Sequence, residues 1–328
     1  MIALGRYEAA RVRAAGERAR QGLPALAEAS LAVIGGSGLY EIEGLSDVVE
    51  VRPQTPYGTP SDALVVGSLG PTRVAFLPRH GRGHRLTPSE VPYRANIYAL
   101  KLLGVGSVVA VSACGSMRDE IRPRDVVVPD QFIDRTKDRP ATLYGGGVVV
   151  HVAFADPFCP VLSARLADEA EAAFGDADAA VAGTAAARRV HRGGTYVAME
   201  GPQFSTRAES HLYRSWGASV IGMTGLPEAK LAREAELCYA MLAYATDYDC
   251  WHEGEEAVTV AQVVANLGAN VASARAILRR IATTGAPGRD HCACASALSG
   301  AIQTDPAAVD RERVRQLALL LGGELPAG

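Results

Sequence analysis

Residues Leu31 to Leu39 read LAVIGGSGL. Leu31, Ala32, Val33 and Ile34 form an apolar run with no polar alternation, as expected of a strand buried on both faces of a parallel sheet. Glycines at 35, 36 and 38 then turn the chain sharply, the pattern with which an open α/β sheet begins. The backbone amides of this turn and the Ser37 hydroxyl suit an anion. No GK[ST] follows, so it is not a Walker A loop, and the same glycines equally serve a plain tight turn.

Outward from this segment, further strand candidates lie at Ala63–Val66, Thr72–Leu77, Ser107–Val111, Asp125–Val128, Gly194–Met199, Val220–Met223 and Cys238–Thr246. Between them fall helix candidates at Pro92–Leu103, Pro160–Phe174, Thr206–Trp216, Pro227–Ala235, Ala257–Thr283 and Asp310–Leu320, each with an apolar stripe at three-to-four spacing. Alternation of this kind predicts an α/β fold: a single-domain, mixed, mostly parallel twisted sheet with helices on both faces. Residues 30–328 form that domain, including a C-terminal helical region, and residues 1–29, rich in Ala, Arg and Glu, read as an N-terminal helical extension or an overcalled start.

Of the 328 residues, 48% are apolar and 21% charged, enough to bury a large core, and no linker-like stretch divides the chain. The net charge of −3 leaves no basic footprint for nucleic acid or an anionic membrane surface, so a small-molecule substrate is expected. Neither a long apolar run nor a signal-like N-terminus appears, and a cytoplasmic protein is expected. Cys114, Cys159, Cys238 and Cys250 are scattered and read as buried thiols. Cys292 and Cys294 form a CxC pair, but no second pair with ligand spacing accompanies it, so no metal is expected.

Polar motifs recur where strands end, which is where open α/β sheets bind ligands. Arg79 and His80 follow one strand, and a guanidinium fork matches phosphate. Ser112, Ala113, Cys114 and Gly115 follow another, with side chains small enough for close approach of a ligand. Glu200 lies beside Phe204 and Ser205, a carboxylate with an apolar wall that suits a ribose. Met223 and Thr224 end the next strand, and Asp247 and Asp249 close a nearly wholly apolar segment. Each motif alone admits a structural reading; together they describe an anion pocket built from several loops.

Taken in order, IGGSGLY, TPYGTPSD, RHGRGH, NIYALKLLG, SACGSM, DQFIDRT, EGPQFSTRAE, GMTGLPEAKLAREA and ATDYDCW resemble the trimeric purine nucleoside phosphorylases, and more narrowly the 5′-methylthioadenosine phosphorylases, from about Leu31 to about Ile281. The resemblance implies that Ser37, Arg79, His80, Ser112, Thr224 and the amide of Ala113 hold phosphate. It places Met223 against the ribose, Phe204 and Ser205 at the base, and Asp247 and Asp249 on the purine edge as the catalytic pair. Val260, Val263 and Val264 match positions that line an apolar pocket for a methylthio group, completed by His151 and a neighbouring subunit. Phosphorolysis of 5′-deoxy-5′-methylthioadenosine by a homotrimer follows, with inorganic phosphate as co-substrate and no cofactor. A 6-oxopurine or methylthioinosine phosphorylase is the alternative, which the two aspartates disfavour. Ser37 and Ser112 stand where relatives often carry Thr, and both keep the hydroxyl. Gly225 stands where a bulkier residue is expected, which suggests a looser loop.

Overall fold

A computed structural model describes residues 2–36, 38–39, 41–180, 188–252, 260–286, 288–289 and 291–322, with the side chains of 2–6, 177–180 and 260–265 outside that description. In chain order the elements are α1 (Ile2–Arg20), β1 (Leu31–Gly35), β2 (Ser46–Val51), β3 (Leu64–Leu69), β4 (Thr72–Pro78), α2 (Tyr93–Leu102), β5 (Ser107–Ser116), β6 (Val126–Val128) and β7 (Gln131–Arg135). There follow α3 (Pro160–Ala180), β8 (Val190–Arg192), β9 (Thr195–Met199), α4 (Arg207–Ser215), β10 (Ala218–Gly222), α5 (Glu228–Glu234), β11 (Cys238–Tyr248), α6 (Val260–Thr284), α7 (Arg311–Gln316) and α8 (Ala318–Leu321).

The sheet forks at β5. One path runs β2-β3-β4-β1-β5-β10-β9-β7, while β11 lies on the other side of β5 and carries β6 and then β8. Parallel pairs join β1 to β4 and β5, β11 to β5, β9 to β7 and β10, and β6 to β8; antiparallel pairs occur at β2-β3, β3-β4, β5-β10 and β6-β11. The expected mixed, mostly parallel sheet is therefore present.

Alternation along the central strands sorts side chains to two cores. In β11, Tyr239, Met241, Ala243 and Ala245 face one core with α2 and α5, while Cys238, Ala240, Leu242 and Tyr244 face the other with α3 and α6. Ala32 and Ile34 of β1 join the first core, and Leu31 and Val33 join the second. Burial on both faces is why these strands read as unbroken apolar runs.

The structure departs from the sequence reading in several respects, among them α3, which runs past Phe174 to Ala180, and β3, which runs past Val66 to Leu69. β5 continues five residues past Val111, to Ser116. Strands β2, β7 and β8 were not anticipated; β2 is an exposed antiparallel edge and β8 is short. The helix expected over Asp310–Leu320 breaks at Leu317 into α7 and α8. The α1 extension docks on the domain: Ala10 and Ala14 are buried, and Arg18 donates to the Leu102 carbonyl at 3.0 Å and pairs with Glu28 at 2.8 Å. No helix among the described residues is long and apolar enough to cross a membrane.

Leu242 is fully buried at the centre of β11. Leu242→Ala should lower unfolding free energy by about 2–5 kcal/mol in urea with an unchanged m-value; a loss well below that range would show that the second core collapses around the cavity.

Candidate active site

On the side away from β11, β5 changes neighbours. It pairs with β1 from Ser107 to Ala110 and with β10 only at Gly115 and Ser116, so among the described residues no strand lies beside 111–114 there. Ala113 is exposed in the middle of this otherwise buried strand, so a crevice reaches the centre of the sheet. Such a switch of neighbours is where ligands enter α/β sheets.

Around the crevice, β4, β5, β9 and β10 bring polar groups together. The Ser112 hydroxyl lies 3.1 Å from both the Thr224 and Tyr196 hydroxyls. Tyr196 was not anticipated: in a strand reading TYVAM an aromatic residue looks like plain core, and only the fold shows its phenol ending at the crevice. Gly222 makes room for it, since a Cβ there would stand 1.9 Å from the phenol oxygen.

Arg79 is buried, and four of its contacts point into the protein: Nε and Nη2 donate to the Glu228 carboxylate at 2.9 and 3.0 Å, Nη1 to the Val111 carbonyl at 3.0 Å, and Nη2 to the Ile34 carbonyl at 3.2 Å. The free bidentate clamp expected for phosphate is thus taken by Glu228, itself buried and also accepting from the Tyr239 hydroxyl at 2.8 Å. Burial works against the Arg79 charge, and Glu228 more than offsets it, holding the guanidinium protonated. What Arg79 offers an anion is its charge and the one Nη1 hydrogen left over among the described residues. His80 donates from Nδ1 to the Leu86 carbonyl at 2.9 Å and stacks on His84. Burial first, and the Arg79 charge second, hold its pKa down to about 4. At neutral pH its ring is uncharged, which leaves Nε2 an acceptor.

At the end of β11, burial pushes the Asp247 carboxyl above the ordinary carboxylate range; the Thr246 hydroxyl, donating at 2.5 Å, opposes this and the Asp249 charge adds to it. Asp249 accepts from the Ser210 hydroxyl at 2.6 Å. Ser210 is set by the start of α4, where Thr206 and Glu209 close a reciprocal cap. Gly115 lets both aspartates approach β5, because a Cβ there would stand 3.2 Å from Asp249 Cβ and 3.4 Å from Asp247 Oδ1.

Arg139, also missed in the sequence, ties the adjoining loops. Its Nη1 donates to the carbonyls of Met223 at 2.8 Å and Leu226 at 2.9 Å, and its Nη2 to that of Glu200 at 2.5 Å. Nothing in the surrounding residues signals this role. Glu200, read as a ribose acceptor, instead receives Ser89, the Lys137 amide and Arg139, which hold it below the usual range although burial works the other way. Gly225 corrects another expectation. The loop is tight, with φ of +90° and a virtual Cβ 2.8 Å from Met241 Cε, so a bulkier residue is excluded.

Met223 is half-buried beside Gly201, and Ser205 reaches the Met199 sulfur at 3.6 Å. Phe204 is 84% exposed and does not wall a base site within one chain. His151, whose amide donates to Ala301 at 2.9 Å, shares a separate surface hollow with Arg233 and Ser296. Ser37 and the side chains of Val260, Val263 and Val264 lie outside the described residues, although α6 carries the three valines. Of the four cysteines read as buried thiols, Cys250 is exposed and Cys114 is buried, while the buried Cys159 and Cys238 gather with Cys292 and Cys294 at the other end of β11.

Compared with known proteins, residues 30–283 match the model of the phosphorylase superfamily. The S-methyl-5′-thioadenosine phosphorylase of Gloeobacter violaceus is 55% identical over 90% of this chain and 95% of its own. That of Geobacter sulfurreducens is also 55% identical, over 90% and 99%. Among solved structures, a methylthioadenosine phosphorylase from an antarctic soil metagenomic library aligns with a TM-score of 0.83 and 48% identity, covering 90% of this chain and 99% of that one. A mutant adenosine/methylthioadenosine phosphorylase of Schistosoma mansoni, in complex with methylthioadenosine, aligns at 0.67 with 34% identity over 90% and 98%.

Glu228→Gln leaves the Arg79 charge buried and uncompensated and should cost about 3–5 kcal/mol in chemical denaturation; a smaller loss would mean that water reaches the guanidinium. Between the ordinary 6.5 and about 4, the unfolded chain binds a proton at His80 that the folded chain refuses, so stability falls as pH drops through that window. His80→Gln should flatten unfolding free energy there, and an unaltered pH dependence would place the ring in solvent.

Proposed function

This chain belongs to the phosphorylase superfamily, and on that basis we propose that it cleaves 5′-deoxy-5′-methylthioadenosine with inorganic phosphate, giving adenine and 5-methylthioribose 1-phosphate. The enzyme is a pentosyltransferase of purine nucleosides that serves purine and methionine salvage. The observation that most supports the assignment is the meeting, at one crevice in the sheet, of two functions on adjacent strands. The Ser112–Thr224 hydroxyl pair and the buried Arg79 charge form an anion site, and Asp247 is a carboxyl biased toward its protonated form.

In this reading phosphate sits against Ser112, Thr224, the Ala113 amide and Arg79, with His80 Nε2 accepting its proton-bearing oxygen. Ser37 adds its hydroxyl from the first turn. A phosphate oxygen forms a bond to the anomeric carbon as the bond to purine N9 breaks, and the electron pair of that bond passes into the base. Asp247 donates its proton to N7, so adenine departs neutral. Fixed donors around the phosphate hold its charge close to the cationic sugar without reorganising during the step. The 6-amino group donates to the aspartate pair, whereas a 6-oxo group faces carboxylate oxygen.

Met223 covers the ribose, Phe204 and Ser205 flank the base, and Val260, Val263 and Val264 receive the methylthio group. Phe204 and His151 gain that role by association: a homotrimer brings His151 to a neighbour's site. A 5′-hydroxyl among the valines lacks a partner, which disfavours adenosine by about 1–3 kcal/mol, roughly tenfold to a hundredfold. No cofactor takes part, and phosphate is a substrate.

Adenine release from methylthioadenosine, measured with and without phosphate and beside methylthioinosine and adenosine, tests the assignment. Phosphate-dependent release favouring methylthioadenosine is expected; preference for methylthioinosine overturns the reading of the aspartates, and release without phosphate overturns the anion site. Asp247→Asn should lower kcat by about 10²–10⁴ with a small change in KM, and an unchanged kcat removes Asp247 from the acid role.

A further inference from the structure

Cys159, Cys238, Cys292 and Cys294 are distant in the sequence, yet their four sulfurs lie within 4.8 Å of one another, with Cys238 Sγ and Cys292 Sγ 3.5 Å apart. Three of the four residues are buried and Cys292 is half-buried; all carry free thiols. Separate parts of the scaffold place them. Cys159 precedes α3, its amide donating to the Tyr239 carbonyl at 2.8 Å and its carbonyl accepting from Ser163 at 2.9 Å. Cys238 opens β11 with its amide on the Gly106 carbonyl at 3.0 Å. Cys292 and Cys294 lie at a single 3-10 turn over Ala293–Ser296, beyond which the Leu298 amide donates to the Glu236 carboxylate at 3.2 Å.

The phosphorolysis described above uses none of these groups. Cys238 pairs with Ser107 at one end of the β5-β11 ladder, and Asp247 with Gly115 near the other. With strands rising ~3.3 Å per residue, the two sites are roughly 30 Å apart.

We propose that these four cysteines form a structural metal site that binds one zinc ion as a closed tetrathiolate. With Zn–S bonds of ~2.3 Å, a tetrahedron sets its sulfurs ~3.8 Å apart, and the observed cluster has that compactness. The spacing has room for a single ion and not for a polynuclear cluster. A disulfide requires ~2.05 Å between sulfurs, well inside the 3.5 Å between Cys238 and Cys292. Four soft thiolates in a tetrahedron select zinc over oxygen-seeking magnesium or calcium, and four protein ligands leave no open position for catalysis.

The surroundings favour thiolates. Cys159 occupies the N-terminal edge of α3, whose dipole stabilises negative charge. Zinc entry transfers the thiol protons to solvent and changes no oxidation state. The bound ion joins β11 and α3 to the segment after α6, which forms a bridge from Ile302 to Val150 and accepts the His151 amide at Ala301.

The test is elemental analysis of the full chain, purified under reducing conditions without chelator, together with thiol titration. About one zinc per chain is expected, with the six cysteines of the sequence all titrating once the protein is unfolded; in the folded protein the buried Cys114 and the four cluster thiols are silent, and the cluster thiols gain reactivity when zinc is withdrawn. Exchange of zinc for cobalt(II) in the unaltered chain should give the visible bands and sulfur-to-metal charge transfer of a tetrahedral tetrathiolate, a readout that does not depend on any variant folding. Cys294→Ser should lose the ion. Zinc below about a tenth per chain after reconstitution, a thiol count short by two or four through disulfides, or a cobalt spectrum without thiolate charge transfer would each overturn the proposal. None of these readouts depends on phosphorolysis, so failure here and failure of the catalytic assignment are distinguishable.

Discussion

The parallel ladder between β5 and β11 is the constraint on which the remaining architecture rests. It runs from Ser107 opposite Cys238 to Ser116 opposite Tyr248, and both strands are buried on both faces over most of that length. Because the strands are parallel, their carboxyl ends reach the same edge of the sheet. Ser112 and Ala113 therefore arrive beside the segment bearing Asp247, and a strand-end hydroxyl and a carboxyl fall on neighbouring strands. The same geometry gathers the amino ends at the opposite edge, where Cys238 joins three other cysteines.

Electrostatically, the crevice is arranged so that few groups carry unbalanced charge. Arg79 is matched by Glu228, His80 is neutral by burial and by Arg79, and Asp247 is biased toward neutrality by burial and by Asp249. Each shift depends on the others' positions. Without Glu228, the Arg79 charge would be a large desolvation cost at the end of β4, with only the Ile34 and Val111 carbonyls, on β1 and β5, to set against it. The ion pair thus links three strands and α5, and the polar residues around it are held in place by that linkage.

How much of this was legible in the sequence varies with the physical signal. Unbroken apolar runs such as LAVI and CYAMLAYAT mark strands buried on both faces, and these were read correctly. The second half of β5, SACGS, has small residues without strand propensity and was missed, because its pairing with β11 and not its composition makes it a strand. β2 was missed because an exposed edge strand reading SDVVEV has no clean alternation of burial. At the site, strand-end motifs located Arg79, Ser112, Thr224 and Asp247, but their partners were invisible. Glu228 opens a helix with the composition of any surface helix, and Tyr196 and Arg139 act through distances that only the tertiary fold sets. The cysteine cluster was unreadable for the same reason: 79 and 54 residues separate its first three members.

A local irregularity explains how Asp247 comes to face the crevice. Along β11 the register is regular until Ala245 opposite Cys114, and the next pair is Asp247 opposite Gly115, so Thr246 is an extra residue in the ladder. A bulge of this kind reverses the alternation beyond it, since one residue of slip moves every later side chain to the other face. Without the bulge, Gly115 would face Thr246, and the carboxylate would pair one residue further along, against Ser116. Thr246 itself is fixed at both ends, its hydroxyl 3.2 Å from the Cys114 carbonyl and 2.5 Å from Asp247 Oδ2, while its carbonyl accepts from Asn266 on α6 at 2.8 Å. The bulge therefore sets the direction of Asp247, and Gly115, lacking a Cβ, provides the space into which it points. The two features work only together, because a side chain at position 115 would close the space and a regular strand would turn the acid away from it.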